Sequence, residues 1–423
     1  MRRLKAGVDH RHSWAVMNLV SSSGAVEPAL PLKVLYHHRT RSRDGQSVHI
    51  DEMIAALRAA GHYVIVVEPK RVDALKPARG KQVLPKFLYE LLEFGYSGLE
   101  LAKMVGHIIR SRPDAIYERA NIFMLSGVWA ARFFGLPLLV EVNAPLTEER
   151  AKFDGLALEW LARWTEETAW RAADFVLPVT AVLGKYAERA GVPPSRIVVT
   201  SNGVDLNRFD AQERTDRSES SSATPTVLGF VGYIREWHGL PLILELMASD
   251  AALKDTHLLV VGDGPGRATI ERKAQQLGIA ERVCVTGIVE RDELASYIRQ
   301  FDVALQPEVT AYASPLKLFE YMALACAIVA PDTENIREIL TDQGDSLLFA
   351  PNDAKALAQA VRSLVQDPKL RHRLGMAARA TLVSNNITWQ RNAERAADLI
   401  RECLHQERDS KSQAPGPFNA SLE

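Results

Sequence analysis

Three stretches of this chain combine residue types that can hold an anion. The segment Ala313-Ser314-Pro315-Leu316-Lys317-Leu318-Phe319-Glu320-Tyr321-Met322-Ala323 reads as a helix start, since Ser314 suits an N-cap and Pro315 the first helical position. A strand ending near Gln306-Pro307 precedes it, so its free N–H groups and positive dipole end face the carboxyl edge of a sheet, where a phosphate or diphosphate binds. Lys317 works against that dipole, a placement easier to understand with an anion beside it. Glu320, one turn further on, is placed to accept hydrogen bonds from sugar or ribose hydroxyls. A capped surface helix with a solvated lysine explains these residues equally well. In the second stretch, Gly229 to Gly239, an apolar strand gives way to a loop between Gly232 and Gly239 that holds Arg235, Trp237 and His238. Arg235 suits bidentate phosphate binding; the alternative is a turn whose Trp packs into the core. The third, Val260-Val261-Gly262-Asp263-Gly264-Pro265-Gly266, is a strand running into a glycine loop that can cradle part of a nucleotide. It is a poor dinucleotide fingerprint. The third glycine comes one residue early, Pro265 lacks an N–H, and the next strand, Val283 to Thr286, ends without an acid.

Elements that position such loops are legible on either side. Lys33 to His38 is a strand, a glycine loop holds Asp44 and Gly45, a helical run covers Ser47 to Ala60, and Tyr63 to Val67 is a second strand. Short apolar runs follow at 115–117, 138–142, 175–179 and 197–199, then at 227–231, 257–261, 283–286, 303–306 and 328–330. Strands alternating with helices predict parallel sheets covered on both faces. The expected organisation is a loose extension over 1–31, an α/β domain over 32–205, a polar Ser-rich linker over 206–225, and a second α/β domain over 226–385. A C-terminal helix over 386–408, crossing back to the first domain, precedes a disordered tail over 409–423. The fold class is α/β, two doubly wound Rossmann-like parallel-sheet domains facing a central crevice, which is the default ligand site.

Composition narrows the function. The 423 residues carry 51 Lys+Arg against 52 Asp+Glu, a net charge of −1 that argues against a nucleic-acid partner. The average conceals an asymmetry: residues 1–112 hold 18 Lys+Arg and 10 Asp+Glu, and the remaining 311 hold 33 and 42. Cys284, Cys326 and Cys403 are too scattered for a disulfide framework or a zinc site. No run of 18 apolar residues occurs, and Asp9 to His12 interrupt what would be the apolar core of a signal peptide. We therefore expect a cytoplasmic protein, with peripheral contact to the inner face of the membrane as the variant of that reading.

Taken together, these residues resemble the retaining family 4, or group 1, glycosyltransferases of GT-B architecture, over residues 33 to about 405. Ser201-Asn202-Gly203-Val204-Asp205 looks like the family's interdomain hinge, Val261 to Pro265 like its donor-domain glycine loop, and Thr286 to Val289 like the segment that contacts the nucleotide base. Ser314 to Ala323 looks like the end of its Glu-x7-Glu motif, with Glu320 as the second Glu. The resemblance implies transfer of a sugar from a nucleotide-diphosphate sugar to the hydroxyl of a glycan or lipid-linked acceptor, with retention of configuration and without a metal or other cofactor. It implies catalytic roles for Glu320, Lys317, Arg235 and Asn143, and donor contacts from Asp44, Gly45, Gly232, His238, Gly264, Ile288, Ser314, Pro315 and Leu316. The first Glu of the motif falls on Tyr312, so the acidic contact to the donor sugar that the resemblance implies is missing. Tyr233 and His238 stand where the family has Arg and Lys, with Arg235 and Lys317 as replacements for the charge. Asn143 ends a strand that in the family ends in His; Glu141, Glu118 and Arg119 are acceptor-side candidates nearby.

Two further functions fit the same fold, a nucleotide-sugar epimerase and a catalytically impaired binding or regulatory relative. Lys70, Arg71, Lys76, Arg79, Lys81 and Lys86 lead into the apolar residues Leu84, Phe87, Leu88, Leu91, Leu92 and Phe94. Such a pairing could rest on an anionic membrane. A solvated loop followed by a core helix is the favoured reading, and Trp160 and Trp164 are expected to pack inward.

Overall fold

Apolar runs of this kind become strands buried on both faces, and here they form two parallel sheets. The computed structural model describes residues 30–40, 45–69, 84–210 and 225–412. In the first half, β1 (Lys33–His37), β2 (Tyr63–Val67), β3 (Ala115–Arg119), β4 (Leu138–Val142) and β5 (Phe175–Pro178) lie in the order β2-β1-β3-β4-β5, all parallel. In the second, β6 (Thr226–Val231), β7 (Thr256–Val261), β8 (Val283–Val285), β9 (Val303–Leu305), β10 (Ala327–Pro331) and β11 (Leu347–Phe349) take the order β11-β10-β9-β6-β7-β8, again all parallel. Each order reverses once, between β1 and β3 and between β6 and β9. Crossovers leave such a switch point toward opposite faces, which opens a crevice at the carboxyl ends of the strands.

Two strand expectations change. Residues 197–199 form a single bridge, Val176 to Ile197, rather than a strand. Thr200 donates to the Pro178 carbonyl, but proline has no N–H to return the bond, so the ladder stops. β11, only three residues long, was not foreseen. The helical end of the chain is also divided further, into α12 (Ala354–Gln366), α13 (Pro368–Ser384) and α14 (Trp389–Ser412). Asp367 breaks the first pair and caps α13, its carboxylate accepting from Leu370 N at 2.9 Å.

α14 returns to the first half and packs on α1 (Gly45–Ala59), where Trp389, Ala393, Ala396, Ala397 and Ile400 share a core with Ile50, Met53 and Leu57. It runs through Ser412, past the boundary at 408 expected from composition. Gly203 marks where the hinge passes the start of α14. A Cβ there would lie 2.5 Å from the Thr388 carbonyl carbon and the Trp389 nitrogen, so only glycine fits.

The expectation of a core helix after Leu84 fails, as does that of inward-facing Trp160 and Trp164. α2 (Lys86–Ser111) buries Glu90, Ser97, Glu100, Met104 and Ile108, which turns Phe87, Leu91 and Leu92 outward. α5 (Glu159–Ala172) buries Leu161, Ala162, Thr165 and Glu166, which turns out Trp160, 67% exposed, and Trp164. The inner stripes are partly polar because they support neighbouring backbone. Glu90 accepts from Ala157 N and Leu158 N, and Ser97 Oγ donates to the Phe123 carbonyl.

One polar cluster lies under α2. His37 Nδ1 sits 2.7 Å from Glu118 Oε1, and Nε2 is 3.7 Å from Glu100, which also pairs with Lys103. The Glu118 carboxylate rests on the first turn of α3 (Ser126–Phe134), in space that a Cβ on Gly127 would occupy. Burial alone would lower the His37 pKa, but the carboxylates of Glu100 and Glu118 raise it from 6.5 to about 9. A charge favoured only in the folded state stabilises fully below the unfolded pKa, and that contribution is lost as pH rises through 6.5 toward 9. The melting temperature should therefore fall on going from neutral to mildly alkaline pH, and in His37→Gln the fall should be shallower. Equal slopes in parent and variant would count against this charge.

Candidate active site

The second half supplies two glycine loops at its switch point. β6 enters the loop Gly232 to Gly239, and β7 enters Gly262 to Gly266. They are stacked too closely for side chains: a Cβ on Gly262 would lie 2.1 Å from the Gly232 carbonyl oxygen, and one on Gly264 2.3 Å from that of Ile234. Ile234 N donates to the Asp263 carbonyl at 2.8 Å, and Gly266 N to the Ile234 carbonyl at 3.1 Å. With Ile234 plugged into the core, Tyr233 and Arg235 point outward, and the guanidinium lies 5.1 Å over the Tyr233 ring. Trp237 also stays largely outside, its ring against His238 at 4.3 Å, so it is not a core anchor.

His238 is buried, and its Nδ1 accepts from Arg235 N at 3.2 Å. Burial, with the charges of Lys317 and Arg235, pushes its pKa down to about 2. It is neutral at any working pH and shapes the loop without replacing a lost cation.

The helix that faces these loops is α10 (Leu316–Ala323). It begins one residue later than expected. Pro315 precedes it in an extended conformation, and Ser314 is not its cap. Ser314 is held by the hinge instead: its carbonyl accepts from Asn202 Nδ2 at 2.5 Å, and its Oγ from Asn202 N at 3.4 Å. No side chain caps α10, and of its first-turn N–H groups Leu318 N turns back to the Pro315 carbonyl at 3.1 Å. Tyr321 OH accepts from Val231 N at 2.9 Å and ties the helix to β6.

The Lys317 amine lies 3.8 Å from the centre of the Phe230 ring and 3.2 Å from where a Cβ on Gly232 would sit. Burial lowers its pKa from 10.5 to about 7, with Glu320 opposing. Lys317 and Gly232 are thus brought together beside the Arg235–His238 loop. Glu320 points elsewhere, its Oε1 2.6 Å from Arg291 Nη1. Gly264 lies in the second glycine loop, and Ile288, 86% exposed, stands just beyond β8.

From the first half, Gly45 opens α1 directly against α10; a Cβ on it would meet Leu316 Cδ1 at 3.5 Å. Asp44 lies outside the described residues, as does the basic stretch Lys70 to Lys81. The acceptor-side candidates do not converge, because neighbours on a strand point to opposite faces. Glu118 belongs to the His37 cluster on one face. Arg119, on the other, pairs with Glu141 at 2.7 Å. Glu141 also receives His49 Nε2 at 2.8 Å, Tyr117 OH at 2.9 Å and Asn143 Nδ2 at 2.5 Å. Burial opposes its ionisation, but His49, Arg119 and Asn143 hold its carboxyl far below the usual range. It is an internal hub that orients Asn143.

Three residues absent from the expected set join the halves. His49 Nδ1 lies 2.6 Å from Asn202 Oδ1, so contacts run from Glu141 through His49 and Asn202 to Ser314. Arg291, between Glu320 and Glu52 of α1 at 3.5 Å, forms a second link, extended by the ion pair of Glu52 with Arg208. The hinge motif marks Asn202, but nothing local in the sequence marks His49 or Arg291, because each acts through a partner at least 29 residues away. Among the described residues no group of three His, Cys, Asp or Glu could hold a metal ion.

Comparison with known proteins accounts for this arrangement. Residues 43–208 match the family described as Glycosyltransferase Family 4, and residues 211–381 that described as Glycosyl transferases group 1. A GDP-mannose-dependent alpha-(1-6)-phosphatidylinositol dimannoside mannosyltransferase of Mycobacterium tuberculosis is 34% identical over 369 residues, 82% of this chain and 90% of that one. The fold is shared with a sucrose-phosphate synthase from Thermosynechococcus elongatus, at a TM-score of 0.71 and 18% identity over 89% of this chain and all of that one. It is shared also with Anabaena HepE in complex with UDP-glucose, at 0.65 and 17% over 88% of this chain and all of that one. The two doubly wound sheets are those of GT-B enzymes, and the chain belongs to the group 1, family 4 glycosyltransferases.

Proposed function

We propose that this glycosyltransferase takes its sugar from a nucleotide-diphosphate donor and passes it to an acceptor hydroxyl with retention of configuration. The observation that carries the reading is Lys317. A buried amine between an uncapped helix start and a glycine loop suits an anionic ligand. The diphosphate would take the N–H groups of α10, with Lys317 and Arg235 on its oxygens. The bond from the anomeric carbon to the phosphate oxygen breaks while that to the acceptor oxygen forms on the same face. The acceptor proton passes to the departing phosphate oxygen, so no strong protein base is required. Asn143, steadied by Glu141, would line the sugar side.

Lys317 sets the sign of the pH dependence. A bound diphosphate raises its pKa, so binding takes up a proton above about pH 7, where the free amine is neutral. Affinity for UDP or GDP should fall by up to tenfold per pH unit above about 7. In Lys317→Met both the pH dependence and the proton uptake, read from the buffer dependence of calorimetric heats, should vanish. Proton release, or none, would remove Lys317 from the diphosphate site. Glu320→Ala and Lys317→Ala should each reduce transfer by about 100-fold or more while the protein stays folded. With donor alone the sugar should remain unchanged; its epimerisation would overturn the transferase reading.

On the acceptor side we propose a lipid-linked acceptor met at an anionic membrane, in cell-surface polysaccharide or glycolipid synthesis. The exposed rings support this. Phe94 of α2 touches Trp129 of α3 and Trp164 of α5, and Phe133, 81% exposed, and Trp160 lie one turn along from those tryptophans. Such a contiguous aromatic patch, part of it on a helix that follows a basic segment in the sequence, suits a headgroup region. No described helix is long and apolar enough to cross a membrane. Vesicles containing phosphatidylglycerol should retain the protein at low salt, and Phe133→Ser with Trp160→Ser should weaken retention several-fold. Indifference to such vesicles would remove the membrane and leave the transferase.

A further inference from the structure

We propose that Glu149, on the first half of the chain, is the residue that contacts and selects the donor sugar, supplying from across the crevice the carboxylate absent at position 312. The proposal rests on the nucleotide-sugar reading above and names a specificity-determining residue within it.

Two observations leave the sugar without an acid from the second half. Position 312 is tyrosine, and Glu320 is already paired with Arg291. Tyr312 does not turn into the donor loops either. Its carbonyl accepts from Thr180 Oγ1 at 3.0 Å, and its ring packs against the core of the first half. Its hydroxyl donates to Glu149.

Glu149 stands in the first turn of α4 (Leu146–Phe153), directly after the strand-end residue Asn143. The start of α4 is fixed. Buried Glu166 accepts from Leu146 N at 2.8 Å and Thr147 N at 3.3 Å, and Glu149 N donates to the Pro145 carbonyl at 2.9 Å. The neighbouring Glu148 turns away to Tyr186, whereas Glu149 feels the charge of Arg235 from the glycine loop. It thus touches the residue at position 312 and interacts with Arg235 of the glycine loop.

In this proposal the sugar hangs from the distal phosphate on the first-half side of Arg235, and its hydroxyls meet Glu149. A carboxylate offers about four lone-pair sites, and the Tyr312 hydroxyl fills one. The remainder suit a pair of adjacent hydroxyls through charge-assisted bonds. Burial raises the Glu149 pKa, which agrees with a group enclosed by the crevice rather than bathed in water. A half-buried carboxylate left without those hydroxyls is penalised, so the site selects a hexose hydroxylated at that position over its deoxy analogue.

The test compares ligands with and without the sugar. UDP, GDP and a panel of their hexose conjugates are titrated calorimetrically into the parent, Glu149→Gln and Glu149→Ala. For the conjugate that the parent binds best, both variants should lose tenfold or more in affinity, while the matching bare diphosphate stays within twofold. They should also bind the corresponding deoxyhexose conjugate as well as the hydroxylated one. Equal loss for conjugate and diphosphate, or no loss for either, overturns the role of Glu149. A parent that binds no diphosphate at all overturns the nucleotide-sugar reading instead.

Discussion

A parallel sheet sends the positive ends of its helices to one edge, and the structure depends on how those ends are neutralised. In the first half, carboxylates borrowed from other elements do it. Glu90 of α2 takes the N–H groups of Ala157 and Leu158 just ahead of α5, and Glu166 of α5 takes the first ones of α4. Glu338, from the second half, accepts from Ala181 N at 2.8 Å and Val182 N at 3.2 Å, closing the start of the helix Ala181–Arg189. Each contact satisfies backbone donors and places an anion on a dipole end, and each joins two elements that the chain separates. α10 has no such partner side chain. Its start is among those that no side chain caps.

The same economy of charge explains which parts were legible in advance. Strands and the order of domains were readable because apolar runs and glycine loops are local. The hinge was readable only through its resemblance to the family's motif; the structure adds that Gly203 meets a backbone that leaves no space for a Cβ. The start of α10 was displaced by one residue because Asn202, 112 positions away, claims Ser314. The outward face of α2 was misjudged for a related reason. Its apolar stripe looks like a core stripe until Glu90, Ser97 and Glu100 are seen to be occupied on the other side. Periodicity shows that a helix has two faces; only its neighbours decide which face is inside.

The site itself was half legible. Lys317 and Gly45 are brought to the glycine loop and to α10 as neighbours, whereas Glu320 is taken by Arg291, and the hub at Glu141 and the bridging residues His49 and Asn202 act only through distant partners. These bridges matter mechanically. Glu141 orients Asn143 and, through His49 and Asn202, meets the loop that delivers α10. The two halves are therefore joined by one continuous set of contacts.

α14 gives the fold an unusual order of assembly. The core under α1 includes Trp389, Ala393 and Ile400, so the half encoded first cannot be completed until residues near the far end have been made. Until then Ile50, Met53 and Leu57 lack their covering layer, and a nascent chain carries an apolar groove through most of its synthesis. Contacts spanning more than 300 residues slow folding and invite association in the meantime. They also make the two halves a single cooperative unit, because neither can unfold without stripping a helix from the other.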